Sequence, residues 1–257
     1  ARKTAKFLDH LLVILPFEPP YFEVEGLATT FVGHPVSDRI KDWSAQAGQA
    51  FRSRHNIAAD QPVLALLPGS RGGEVSRLLP IFTGVQKRLS ASVPGLITAI
   101  PVVPAVADMI REQCADWDVP PLMCEDKQDK DGLFAAADAA LVTSGTASLE
   151  LTAARVPMVV GYKAAPLTAF IARQMVKVDY GSLTNIMLDK MAIPEFLQGD
   201  VTEDALYDAL LPLLTPDSSA RLTQLGELDK AIDALDLYGP SPAERGAQTL
   251  LSLVKKD

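Results

Sequence analysis

The feature that most constrains this chain is a rhythm in which short, unbroken runs of Val, Ile, Leu and Ala alternate with longer stretches of helical character. The runs are Leu11–Leu15, Thr29–Val32, Val63–Leu67, Leu96–Ile100, Leu122–Cys124, Ala139–Thr143 and Met158–Tyr162. Several are continuously apolar rather than alternating, as in strands covered on both faces. Helical segments Val36–Arg54, Val75–Ala91, Ala105–Cys114, Gly132–Ala136 and Ala147–Ala154 fill the intervals. Such a βαβ series predicts an α/β fold with an open, doubly wound parallel sheet. From Pro166 the chain turns mainly helical, over Pro166–Val176, Thr202–Leu214, Ser219–Leu237 and Ala243–Val254. Thr202 and the Ser241-Pro242 pair are the expected helix starts there.

Composition narrows the classes. At roughly 150 residues per domain, 257 residues make one large domain or two modest ones. A 48% hydrophobic content supports a sizeable core and excludes a disordered chain. The balance of 24 basic against 32 acidic residues gives net charge −8, which argues against nonspecific nucleic-acid binding. The longest apolar runs, such as Leu11–Pro16 and Ala135–Val142, are too short to span a bilayer. Two cysteines, Cys114 and Cys124, make no disulfide framework and lack zinc partners, which suggests a reducing compartment. His10, His34 and His55 have no metal-ligand spacing, and no serine sits in GxSxG. The sequence opens Ala1-Arg2-Lys3 without Met or a signal-peptide pattern, and enters a strand at once. Further sequence upstream is therefore expected. A domain boundary is expected near Arg54–Gln61.

Two strand ends carry chemistry. Leu67-Pro68-Gly69-Ser70-Arg71-Gly72-Gly73-Glu74 leads from a buried strand into a helix. Ligands gather at the carboxyl ends of strands in open α/β sheets, and backbone N–H groups of such a loop can approach an anion. Arg71 could add a bidentate phosphate contact. The same residues also suit a tight strand-to-helix turn with a solvent-facing arginine. Neither a P-loop nor GxGxxG is present. The second end is Val142-Thr143-Ser144-Gly145-Thr146-Ala147-Ser148-Leu149-Glu150. Ser144, Gly145 and Thr146 offer donors for a diphosphate, and Glu150 an acceptor for vicinal sugar hydroxyls. The competing reading makes Thr146 a helix cap and Glu150 a first-turn acid. Two anion-ready loops on one sheet favour a nucleotide site. Asp138 reads as a turn or cap residue.

A third segment, Lys163–Lys177, is mostly apolar yet carries three cations and no acid. It suits either an anionic membrane surface or ordinary packing on the sheet. After it, Tyr180–Asn185 reads as a polar turn, with Asn185 facing the same cleft.

Several motifs together resemble the lipid-A-disaccharide synthase family. They are Leu15-Pro16-Phe17-Glu18, Gly33-His34-Pro35, Pro68-Gly69-Ser70-Arg71-x-x-Glu74, Thr143-Ser144-Gly145-Thr146-Ala147-x-Leu149-Glu150, Pro157–Tyr162, Ser182-Leu183-x-Asn185 and Ser241-Pro242-x-Glu244-Arg245. The resemblance implies a GT-B-type, Rossmann-like fold and an inverting glycosyltransferase that needs no metal or other cofactor. Its reaction would move 2,3-diacylglucosamine from a UDP donor onto 2,3-diacylglucosamine 1-phosphate, giving lipid A disaccharide 1-phosphate and UDP. Carried over by motif, Arg71 stabilises the diphosphate leaving group and Asn185 is a second polar contact near it. Gly69, Ser70, Ser144, Gly145, Thr146 and Glu150 hold the UDP, with Glu150 at the ribose.

The resemblance further implies a peripheral protein on the cytoplasmic face of a bacterial inner membrane, held through the Lys163–Lys177 region, and a homodimer with exchanged C-terminal elements. Its domain plan makes residues 1–55 the remnant of an N-terminal acceptor domain plus linker, with a base that lies upstream. Residues 56–200 become the UDP-sugar domain, and residues 201–257 C-terminal helices that cross back or are exchanged. On this plan the chain alone is at most a UDP binder. Two departures stand out. Thr184 replaces the usual proline before Asn185, and Leu167 replaces a common aromatic. Other nucleotide-sugar enzymes of the same fold, such as UDP-N-acetylglucosamine epimerase relatives, share loops of the PGSR kind, and a non-catalytic nucleotide-binding module is the remaining alternative.

Overall fold

A computed structural model describes residues 1–164 and 180–254. Its centre is a six-stranded parallel sheet built from β3 (Val63–Leu67), β4 (Ile97–Pro101), β5 (Leu122–Cys124), β6 (Ala139–Val142), β7 (Met158–Tyr162) and β8 (Glu195–Leu197). Their order is β5-β4-β3-β6-β7-β8. Alternate side chains of β3 show why the runs are continuously apolar. Val63, Ala65 and Leu67 enter one core, and Leu64 and Leu66 enter the other. Both faces of the strand are buried, so no polar residue fits.

The helices divide between these two cores. α3 (Gly72–Ser92), α4 (Ala107–Cys114) and α8 (Glu203–Leu214) cover one face through Leu78, Phe82, Ile110, Leu206 and Leu210. α5 (Lys127–Ala136), α6 (Thr146–Ala153) and α9 (Ser219–Ala234) cover the other through Leu133, Phe134, Leu149, Leu151, Leu228 and Ile232. The chain winds outward from β3 to β5, then returns to β6 and winds the other way. β3 and β6 are therefore neighbours with opposite onward directions, the switch point at which such sheets bind ligands.

A second, two-stranded parallel sheet pairs β1 (His10–Val13) with β2 (Ala28–Phe31), joined through α1 (Pro19–Glu23). The last helix, α10 (Pro242–Val254), crosses back onto it. A Cβ on its Gly246 would meet Leu12 Cδ1 at 3.7 Å, and one on Gly33 would meet Pro242 Cγ at 3.4 Å. Ser241 and Glu244 form a reciprocal capping box at its start, with Ser241 N–H donating to Glu244 Oε2 and Glu244 N–H to Ser241 Oγ.

Four expectations need correction. The single helix over residues 36–54 is two elements: a 3₁₀ segment, Pro35–Trp43, and α2, Ala45–Arg54. Ser44 separates them in extended backbone, its Oγ accepting from Ala47 N–H at 3.3 Å. The polar turn over residues 180–185 includes the start of a short helix, α7 (Leu183–Leu188). Strand β8 lies outside the expected set; its three half-exposed residues give no periodic signal. The expected break at residues 55 and 56 does not follow the packing. Val36, Trp43 and Phe51 enter the core of the six-stranded sheet, and α2 lies along α5. The helix expected at Pro166–Val176 lies outside the described residues.

Candidate functional site

A cleft of about 840 Å³ opens where β3, β4, β5 and β6 end. This is ligand-sized. Gly69, Ser70 and Arg71 form one wall and Ser144, Gly145, Thr146 and Glu150 the facing one, so seven of the eight sequence-selected residues share one cavity. Arg39, Lys127 and Lys130 complete the lining with three cations that no motif announced. Each is an ordinary surface-type residue in a polar stretch, and only the tertiary fold brings it to the strand ends.

The first loop is built around Glu74. Gly69 has φ +122°, and a Cβ there would sit 2.6 Å from Glu74 Cβ. Only glycine permits both the backbone and the approach. Glu74 lies in the first turn of α3 and reaches back, with Oε2 accepting from Ser70 N–H at 3.2 Å and Oε1 from Arg71 Nη1 at 2.9 Å. The arginine head is otherwise in solvent, its side chain 81% exposed, free to close on an anion. Glu74 thus explains the final position of the Pro-Gly-Ser-Arg-x-x-Glu motif as the brace of the loop.

In the second loop Gly145, at φ +156°, precedes α6 with open space where a side chain would lie. The unpaired N–H groups of the helix start face that space with the partial positive charge of the helix end. Ser144 Oγ donates to Gly181 O at 2.9 Å, so its one proton is already engaged. Ser144 lines the cleft, and an anion there would compete with Gly181 O for its hydroxyl proton. Thr143 Oγ1, buried at the end of β6 and lining the cleft, has no partner among the described residues.

Glu150 faces the cleft from α6 and is held from both sides. Arg39 donates to its Oε1 and Lys130 Nζ to its Oε2, the latter at 2.9 Å. His34 lies near Glu150, and burial lowers its pKa; the charges of Glu150 and Glu18 oppose that shift. Cys124 also lines the cleft, its thiol pushed up to about 12 by burial with a further rise from Asp129 and Asp126. It remains a neutral thiol at physiological pH.

Asn185 departs from the expectation that it faces the cleft. It does not line the cleft; it is fully buried beneath it. Its Nδ2 donates to Ile193 O at 2.8 Å and to Glu195 Oε1 at 2.7 Å, and its Oδ1 accepts from Ile193 N–H at 2.8 Å. Glu195 also accepts from the N–H groups of Gly181 and Ser182. Asn185 therefore locks the 181–185 turn to β8, and that turn in turn holds Ser144. The departure at Thr184 is absorbed the same way. Thr184 Oγ1 meets Thr152 Oγ1 at 2.8 Å in the core, a contact a proline could not make.

The basic segment expected to meet a membrane lies mostly outside the described residues. Among the described ones, no helix is long and apolar enough to cross a membrane.

Known proteins bear on this geometry. The family described as lipid-A-disaccharide synthetase matches over residues 1–237. The chain is 45% identical over 256 residues to the lipid-A-disaccharide synthase of Rhodospirillum centenum, covering 100% of this chain and 63% of that protein. It is 40% identical to that of Paramagnetospirillum magneticum, covering 98% of this chain and 64% of that one. The chain thus spans a little under two thirds of the length of these relatives. Among solved structures, a glycosyltransferase from Rickettsia africae superposes with TM-score 0.59 at 9% identity, over 100% of this chain and 67% of that one. The wall teichoic acid polymerase TagF superposes with TM-score 0.56 at 15% identity, over 100% of this chain and 60% of that one. At such identities these structures speak to the fold alone, and it is the GT-B type. The match across residues 1–237, with relatives at 40–45% identity along the whole chain, establishes that the chain belongs to the lipid-A-disaccharide synthase family.

Proposed function

We propose that this chain supplies the UDP-sugar donor site of a glycosyltransferase that joins two acylated glucosamines in lipid A biosynthesis. The donor is UDP-2,3-diacylglucosamine, the acceptor 2,3-diacylglucosamine 1-phosphate, and the products are the disaccharide 1-phosphate and UDP. One observation carries the reading: the braced Gly69–Arg71 loop and the Gly145–Thr146 helix start face each other across one cleft at the switch point of the sheet.

Transfer with inversion forms a bond from an acceptor hydroxyl to the anomeric carbon as the bond to the UDP oxygen breaks, and the hydroxyl gives up its proton to a general base. Charge then grows on the departing diphosphate. On this reading Arg71 closes from solvent onto that charge, the start of α6 meets it from the other loop, and stabilisation there acts on the transition state. Lys127 and Lys130 add positive potential at the rim, and Glu150 accepts from the ribose hydroxyls. The same reading makes the protein peripheral to the cytoplasmic face of an inner membrane and a homodimer. Co-sedimentation with anionic liposomes and equilibrium ultracentrifugation check those two points.

Calorimetric titration of the 257-residue chain tests the site directly. UDP should bind, and Arg71→Ala should weaken it about 10- to 100-fold, the range for a charge-assisted contact. Absence of UDP binding to the folded chain, or no effect of Arg71→Ala, discards the assignment. Turnover of the two lipid substrates by the gene product that carries this chain separates an enzyme from a nucleotide-binding module.

A further inference from the structure

Two separate elements converge on Glu150 of α6. Arg39, from the 3₁₀ segment, donates through Nη1 to Glu150 Oε1 on α6 and through Nη2 to Asp131 Oδ1 on α5. Asp131 is itself held by Trp43 Nε1 at 3.2 Å and Lys127 Nζ at 2.7 Å. The guanidinium lies over the Trp43 ring, 5.1 Å from its centroid. Lys130 Nζ closes the arrangement on Glu150 Oε2 at 2.9 Å. A carboxylate restrained on both oxygens has its rotamer set before a ligand arrives, the condition for a preorganised contact.

Counting acceptor sites shows what that contact can take. A carboxylate offers about four lone-pair directions and no donor. Arg39 and Lys130 take one on each oxygen, which leaves one on each. Two free acceptors on a single fixed group at the cleft wall match a vicinal diol, which presents two hydroxyl donors from adjacent carbons. A phosphate oxygen, itself an acceptor, does not match. Arg39 is the element that makes the geometry rigid, because its planar fork bridges Asp131 and Glu150 at once.

We propose that Arg39, supported by Lys130 and Asp131, is a positioning residue that makes Glu150 a cis-diol receptor, so that this network decides the site's preference for ribose over 2′-deoxyribose. The proposal rests on the donor-site reading above, in which a uridine diphosphate occupies the cleft.

The test compares UDP, 2′-deoxy-UDP and inorganic diphosphate in calorimetric titrations of the intact chain. Wild type should prefer UDP over its deoxy form about tenfold or more, since removing the hydroxyl leaves a charged acceptor unpaired. Arg39→Gln should bring that ratio near one, while the loss of one cleft cation weakens inorganic diphosphate, UDP and 2′-deoxy-UDP by a common factor on top of that change. Arg39→Lys, which keeps the charge but cannot bridge two carboxylates, should fall between.

A wild-type ratio near one, with UDP and diphosphate both bound, overturns this proposal and leaves the donor site standing. An Arg39→Gln variant that weakens all three ligands alike, its ratio intact, shows a purely structural arginine and overturns it too. Should Arg39→Gln fail to fold, Lys130→Gln and Arg39→Lys carry the test, and an unchanged ratio in both is fatal. Failure of folded wild type to bind either UDP or diphosphate removes the donor-site reading, and this proposal with it.

Discussion

Asn185 and Glu74 hold other residues in place, and the motif of Glu74 also contributes Gly69, Ser70 and Arg71 to the cleft. Glu18 does the same near the chain start, accepting from the N–H groups of Ile14 and Leu15 through one carboxylate oxygen. A sequence motif marks where side-chain identity matters, and it does not separate a ligand contact from a loop brace. Burial separates them here: Arg71 is largely in solvent, whereas Asn185 is fully enclosed. Asn185→Ala would strand the Ile193 N–H and C=O and one face of Glu195. A loss of about 2–4 kcal/mol in urea-unfolding stability is expected, because several buried polar groups lose their partners together. A loss below about 1 kcal/mol would mean that water reaches the site and replaces those bonds. Asn185 looked like a ligand contact in sequence because its neighbours Ser182 and Gly181 are polar and loop-forming. The strand that consumes its hydrogen bonds, β8, lies beyond it and has no legible pattern.

Between elements, α2 and α5 pack closely enough to need a glycine on each. A Cβ on Gly48 would lie 2.7 Å from Ala135 O, and one on Gly132 would lie 2.7 Å from Phe51 Cβ. The two glycines let the helix backbones approach closely enough for Phe51 to be fully buried against Phe134 and Leu133. Gly132→Ala is expected to destabilise by about 1–3 kcal/mol through overpacking, outweighing the gain in helix propensity. A thermal midpoint equal to or above wild type would contradict that packing. Most elements were legible because their cause is local: continuous apolar runs, Thr202 and Ser241 as caps, Gly-rich strand ends. The break at Ser44 was not. Residues 36–54 have helical composition throughout, and the choice of cap over continuation is settled by where Trp43 and Phe51 must both be buried.

At the scale of the whole molecule, Gly33-His34-Pro35 joins the β1–β2 sheet to the body that holds the cleft. His34 Nδ1 accepts from Val36 N–H at 3.1 Å, a bond only the unprotonated nitrogen can accept. Burial lowers its folded-state pKa below the ordinary 6.5. The unfolded chain therefore takes up a proton first as pH falls. Above pH 6.5 the group is neutral in both states and costs nothing. Below it, stability declines until pH passes the lowered folded value. Urea unfolding between pH 7.5 and 5 should show this decline, and His34→Gln should flatten part of it. Curves of equal slope for the two proteins would remove His34 from the account.

Sequence by itself determined the fold class, the strands of the switch point and the two glycine loops, because all of these follow from local burial patterns and backbone demands. The family followed as well, since its motifs are contiguous. Tertiary structure alone decided that Arg39, Lys127 and Lys130 reach the cleft, that Glu150 is clamped between two cations, and that Asn185 is buried outside the cleft lining. The physical reason is the same in each case. A long charged or amide side chain has no period or propensity that reveals its partner, and its role is fixed by groups on other segments, 8 positions on for Asn185 and Ile193 and 111 for Arg39 and Glu150.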